Sequence, residues 1–117
     1  MITGIGIDII EVARIQRLVE KNPRFLQRIF TPEEISYCQE KINKYQHLAA
    51  RFAAKEAFFK ALGRRIKWTE VGVVNLSSGK PRLEIKSDQK FPFHSTHVSV
   101  AHLSEQAIAV VILESKE

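Results

Sequence analysis

The chain has 117 residues, of which 44% are apolar, enough for one hydrophobic core and not two, so a single domain spanning 1–117 is expected. It contains no apolar run long enough to cross a bilayer, and Met1 to Ile10 lacks the basic start and small-residue cleavage pattern of an export signal, so a cytoplasmic protein with no membrane partner is expected. The net charge of +5 calls for an anionic partner, which could be nucleic acid, a phosphate-bearing small molecule or an acidic protein, while the lone Cys38 excludes an internal disulfide and has no zinc-type spacing around it.

In chain order, Ile2 to Ile10 is isoleucine-rich and broken by two glycines, which suits a strand. Helical signals follow from Glu11 to about Lys21. Arg14, Arg17, Lys21, Arg24 and Arg28 recur at spacings of three or four, which puts them on one face of a continuous helix, although Pro23 should interrupt it. Such a stripe is either a solvated face or a docking face. Thr31, Pro32 and Glu34 supply an N-cap, a first-turn proline and a capping-box acid for a short helix to about Lys41. Tyr45 to Leu62 is alanine-rich, free of Gly and Pro, and closed by Gly63, which predicts the longest helix of the chain.

Beyond Trp68 the apolar period changes to that of strands: Val71 to Leu76, Arg82 to Lys86, Thr96 to Ala101 and Ala107 to Glu114. Ser77 to Pro81 carries the turn residues of a hairpin between the first two. Ala107 to Leu113 is apolar on both of its faces, so both need cover, and with few helices available a partner subunit is a candidate for the second. The predicted class is α+β, with an N-terminal strand, one long central helix and a mainly antiparallel sheet.

Two segments stand out as places for chemistry. Alternation along Ile2 to Ile10 puts Gly4, Gly6 and Asp8 on one face and leaves space there for a ligand or another backbone. Asp8 could hold a cation, or with Glu11 form a capping box for the next helix. On the long helix, Ala49, Ala53 and Ala57 make a ridge that permits close approach of a neighbouring element, and Phe52, Glu56 and Lys60 form a second row. Glu56 and Lys60 have the order of an i, i+4 salt bridge. Were Asp8 and Glu56 to meet, they would supply the two hard oxygen ligands that suit magnesium completed by phosphates and water, with Lys60 placed to steady a phosphate. His47, His94, His97 and His102 show no metal-site spacing. No dinucleotide fingerprint, P-loop or nucleophile elbow is present.

Four stretches together resemble the holo-[acyl carrier protein] synthase family of 4'-phosphopantetheinyl transferases: Gly4-Ile5-Gly6-Ile7-Asp8 with Arg14 following, Arg51 to Gly63, Gly79-Lys80-Pro81, and Val98 to His102. They occur in that family's order across nearly the whole chain. The run Phe52 to Ala61 is the most specific of them.

The resemblance implies the phosphopantetheinyl transferase fold and transfer of 4'-phosphopantetheine from coenzyme A to a serine of apo-acyl carrier protein, in support of fatty acid biosynthesis. It further implies magnesium on Asp8 and Glu56, with Lys60 at the phosphates. Arg51, His102 and the Gly79-Lys80-Pro81 turn would lie beside the coenzyme. Arg14, Arg17 and Arg24 would face the acidic carrier, with Phe25 as an apolar anchor. A homotrimer with sites between subunits would cover the two-sided apolar strand.

Four positions depart from the family pattern. Arg64 and Arg65 follow Gly63 where many relatives have threonine and glycine, and Ala101 and Leu103 flank His102 where hydroxyl residues are common. A small basic nucleic-acid-binding module would explain the charge equally well, but not the alignment of glycines with Asp8, and the chain lacks an RNA-type aromatic stacking pattern. A non-catalytic carrier-binding subunit is the other alternative.

Overall fold

The computed structural model describes residues 1–116. Strand β1 (Ile2–Glu11) runs directly into helix α1 (Val12–Lys21), followed by α2 (Phe25–Ile29), α3 (Pro32–Gln39) and the long α4 (Lys44–Leu62). A single 3-10 turn at Trp68–Glu70 leads into the hairpin β2 (Val71–Asn75) and β3 (Pro81–Ile85), and the chain ends with β4 (Ser95–His102) and β5 (Gln106–Glu114). All pairings are antiparallel: β5 lies between β1 and β4 in one sheet, and β2 pairs with β3 in a second. The predicted α+β class and the order of elements therefore hold.

Local chemistry explains the boundaries. The Thr31 hydroxyl accepts from the Glu34 N–H and the Glu34 carboxylate accepts from the Thr31 N–H, closing the capping box that starts α3. Gly63 ends α4 at φ 87°, in the left-handed region that glycine enters without strain. Gly79 does the same at φ 91° in the β2–β3 turn, where the Gly79 N–H donates to the Leu76 carbonyl. The α1 helix stops at Asn22, one residue before Pro23. Asp8 lies well inside β1 and Glu11 occupies the α1 N-cap position, so the capping alternative for Asp8 does not apply.

Helix α4 crosses the inner face of the sheet, where Ala107, Ala109, Val111 and Leu113 of β5 are buried with Ala53, Ala57 and Phe58. Its approach to β1 is limited by backbone alone. A Cβ on Gly6 would stand 1.9 Å from the Ala57 carbonyl oxygen, and one on Gly4 2.0 Å from that of Ala61. The space bared by the two glycines is thus filled by the alanine side of α4. Gly6→Ala should force strand and helix apart and cost about 3 kcal/mol, lowering the thermal midpoint by about 10 °C. Gly72→Ala, whose Cβ would meet nothing closer than Thr31 Cγ2 at 3.5 Å, should melt close to the parent when both are followed by circular dichroism.

A buried ion pair ties the helices to the small sheet. Lys55 and Glu34 are both wholly buried, with Nζ 2.7 Å from Oε1. Lys55 also donates to the carbonyls of Ile29 at 2.7 Å and Trp68 at 3.2 Å, and the other oxygen of Glu34 accepts from the Val73 N–H at 2.8 Å. One pair of side chains thereby joins α2, α3, α4, the 3-10 turn and β2. Cys38 is buried in the same core, where desolvation pushes its thiol up to about 11.

Phe25 corrects one expectation. It is only 8% exposed, edge-on to Phe30 and stacked on Phe52 at 6.5 Å, so it fills the core beneath α2 and is not a surface anchor. The chain turns inward after the break at Asn22, and the basic residues around Phe25 in the sequence conceal this.

Candidate active site

The β1 alternation that aims Gly4 and Gly6 at α4 aims Asp8 the same way, just beyond the contact. There Lys60 reaches back from α4, donating to the Ile7 carbonyl at 3.0 Å and to Asp8 Oδ1 at 3.2 Å. Glu56, one turn earlier on α4, is near enough for its charge to act on Asp8. Burial raises the Asp8 carboxyl above its ordinary value, the Lys60 hydrogen bond and charge oppose this, Glu56 reinforces it, and Arg14 opposes it more weakly. Asp8, Glu56, Lys60 and Arg14 thus form one electrostatic neighbourhood.

The salt bridge suggested by helix spacing does not form. Lys60 turns to Asp8, where a half-buried carboxylate and a strand carbonyl offer two acceptors, and Glu56 is taken by Arg65, with Nη1–Oε1 at 2.8 Å and Nη2–Oε2 at 3.4 Å. These side chains open on a cleft of about 300 Å³ lined by Glu56, Phe59, Lys60, Gly63, Arg64 and Arg65. Sequence reasoning did not place Arg65 in the site, although its departure from the family pattern was visible.

Among the described residues no group of three or more His, Cys, Asp or Glu side chains could enclose a metal ion. What Asp8 and Glu56 offer is a pair of hard oxygen donors beside open space. That donor set fits magnesium, which is commonly bound by one or two carboxylates with substrate phosphates and waters completing its shell, and does not fit a structural zinc site.

A second polar group lies around the first half of α4. Arg51 is buried, its guanidinium 4.3 Å over the Tyr37 ring, donating to the His47 carbonyl at 3.4 Å and to Asn75 Oδ1. Asn75 in turn donates to the Gly79 carbonyl at 3.0 Å, so Arg51 braces the Gly79-Lys80-Pro81 turn. Arg51 Nε is buried with no partner among the described residues. His102 Nδ1 lies 2.8 Å from Gln46 Oε1, and its ring centroid is 5.1 Å from that of His47. Burial, and then the charges of His102, Arg51 and Lys41, lower the His47 pKa and favour its neutral form. His47 thus lies between Arg51, which bonds its carbonyl, and His102, whose ring it meets, while Arg51 reaches the turn through Asn75. Arg51 stands five residues before Glu56 on α4, about 7.5 Å along the helix.

The basic residues Arg14, Arg17, Lys21, Arg24 and Arg28 are all exposed and follow α1 and α2 through the break at Asn22 to Arg24. Through Arg14 this stripe reaches the Asp8 site. Ala101 is exposed on β4, and Leu103 is exposed just after it in the turn to β5, where its N–H donates to the Gln106 carbonyl.

The 4'-phosphopantetheinyl transferase superfamily model matches residues 4–111. A holo-[acyl-carrier-protein] synthase of Clostridium tetani is 45% identical, the match covering 99% of this chain and 98% of that protein, and one of Geobacter sulfurreducens is 44% identical over 97% and 98%. This chain belongs to the holo-[acyl-carrier-protein] synthase family. Among solved synthases, that of Bacillus anthracis, determined in complex with CoA (3',5'-ADP), superposes with a TM-score of 0.85 at 38% identity over 99% of both chains. The synthase of Neisseria meningitidis gives 0.86 at 32% identity, over 98% of this chain and all of the other. The fold is thus that of the synthases throughout, and the chain is an enzyme of the phosphopantetheinyl transferase class.

Proposed function

We propose that the whole chain is one transferase domain that moves 4'-phosphopantetheine from coenzyme A to a serine of apo-acyl carrier protein, with magnesium, releasing adenosine 3',5'-bisphosphate in support of fatty acid biosynthesis in the cytoplasm. The observation that carries this reading is that Asp8 and Glu56, from a strand and a helix held in backbone contact, act on one another electrostatically, with Lys60 bonded to Asp8 and both Lys60 and Glu56 lining an open cleft. The Bacillus anthracis relative's complex with CoA supports the choice of donor.

Magnesium held by Asp8 and Glu56 would supply the Lewis acid that polarises the phosphorus and neutralises charge on the departing bisphosphate. Lys60, freed from Asp8, would pair with the phosphates. The Arg51-braced turn at Gly79, Lys80 and Pro81, together with His102, would bind the nucleotide end. Arg14, Arg17 and Arg24 would orient the acidic carrier so that its serine arrives beside Asp8, charge complementarity fixing the register.

We also propose sites shared between copies of the chain. The outer sheet face supports this: Ile5, Ile7 and Ile9 of β1 stand opposite Ile112, Val110 and Ile108 of β5 in one apolar surface, on which Ile7 is 57% exposed. A face of this kind marks an interface. A homotrimer would bury it and bring one copy's Arg51 and His102 group towards the next copy's Asp8. Light scattering should report three chains per particle for the parent and a smaller assembly for Ile7→Asp. An unchanged mass would remove the face from the interface.

The activity is tested by mass spectrometry of an apo-acyl carrier protein incubated with the protein, coenzyme A and magnesium. A gain of one phosphopantetheine, lost on adding a chelator, is the expected outcome. No gain with several carriers would leave the docking stripe without an enzyme behind it.

A further inference from the structure

The Arg65–Glu56 pair is specific to the residues this chain carries after Gly63, and its geometry conflicts with a resident metal. Both oxygens of Glu56 are engaged by the guanidinium, which is held in place by the rings of Phe59 and Trp68 at 5.4 and 5.3 Å. Lys60 engages one oxygen of Asp8, Oδ1, at 3.2 Å. Against the two carboxylates stand Lys60, Arg64 and Arg65, with Arg14 nearby, so the site is already net positive. A dication entering by itself would add two positive charges beside Lys60 and Arg65, a repulsion softened but not removed by their partial exposure. A dication entering with a pyrophosphate brings its own anions and gives a displaced guanidinium a new bidentate partner.

We infer that Arg65 is a stand-in cation for the divalent metal: it holds Glu56 in the ligand-free protein, weakens binding of free metal, and turns to the coenzyme's phosphates when metal and coenzyme arrive together. This rests on the metal reading of Asp8 and Glu56. Arg65 therefore couples the two ligands, making metal affinity depend on coenzyme more steeply than the carboxylates alone would. Its side chain is 60% exposed, so it can swing without disturbing the core.

The test is manganese binding to the parent, Arg65→Gln, Arg65→Lys and Glu56→Gln proteins, by calorimetry or electron paramagnetic resonance, with and without coenzyme A. Without coenzyme, Arg65→Gln should bind manganese about fivefold more tightly than the parent, the scale of an exposed ion pair. With coenzyme that advantage should vanish or reverse, and Arg65→Lys should lie between the two. Equal manganese affinity of parent and Arg65→Gln without coenzyme, including undetectable binding by both, overturns the inference, as does an unchanged effect of coenzyme on metal affinity. If Glu56→Gln binds manganese as tightly as the parent in the presence of coenzyme, the metal reading itself fails and takes the inference with it.

Discussion

Lys55→Met should lower the stability of the protein by about 3–5 kcal/mol, the cost of leaving one member of a buried ion pair without its partner. Glu34 would keep its bonds from the Thr31 and Val73 N–H groups but lose its cation, and the carbonyls of Ile29 and Trp68 would lose the Lys55 donor. The desolvation that lowers the Lys55 pKa, opposed by Glu34, is the same penalty seen from the other partner. Urea denaturation should show the loss directly. The double variant Glu34→Gln/Lys55→Met, which removes both charges, should recover part of it. A single variant within about 1 kcal/mol of the parent would mean that the pair does not hold the helices to β2.

The largest expected effect on activity comes from the carboxylates. Asp8→Asn and Glu56→Gln keep shape and hydrogen-bonding capacity while removing a charged oxygen ligand, and each should slow transfer by about 10³-fold, equivalent to about 4 kcal/mol of lost charge stabilisation. Neither should destabilise the fold much. Asp8 is half-buried with a raised pKa, so neutralising it also relieves a desolvation cost, and Asp8→Asn should be at least as stable as its loss of Lys60 permits. Carrier-modification rates compared with urea midpoints for the same preparations check both statements. Full activity in both variants would end the metal assignment.

Much of this was legible in the residues. The Thr31 capping box, Gly63 as a helix stop and the hairpin turn at Gly79 depend on interactions within four residues of each other, where spacing rules hold, and they appear where expected. The glycine face of β1 and the alanine ridge of α4 were each visible, and their mutual contact follows once both are placed. Less legible were the partners of charged side chains. Spacing alone gave Glu56 to Lys60, but Lys60 finds a strand 52 residues away and Glu56 an arginine beyond the helix end. Phe25 was misassigned because burial after a helix break depends on which way the chain turns, which no local pattern encodes. Alternation separated Ile5, Ile7 and Ile9 from the glycine face, but not which of the two faces is the inner one, because that depends on where α4 packs.

The contact of Gly4 and Gly6 with the carbonyls of Ala61 and Ala57 bears on how such a protein can vary. In most folds the spacing between a strand and a helix is set by the size of the side chains packed between them, so every core substitution shifts whatever the two elements carry. Here main chain meets main chain, and the separation of Asp8 from Glu56 is ruled by atoms common to all sequences. Side chains such as Phe58, Val111 or Leu113 can then drift in size and be repacked without transmitting the change to the carboxylates. Two residues that contribute no side chain thereby insulate the chemistry from the history of the core.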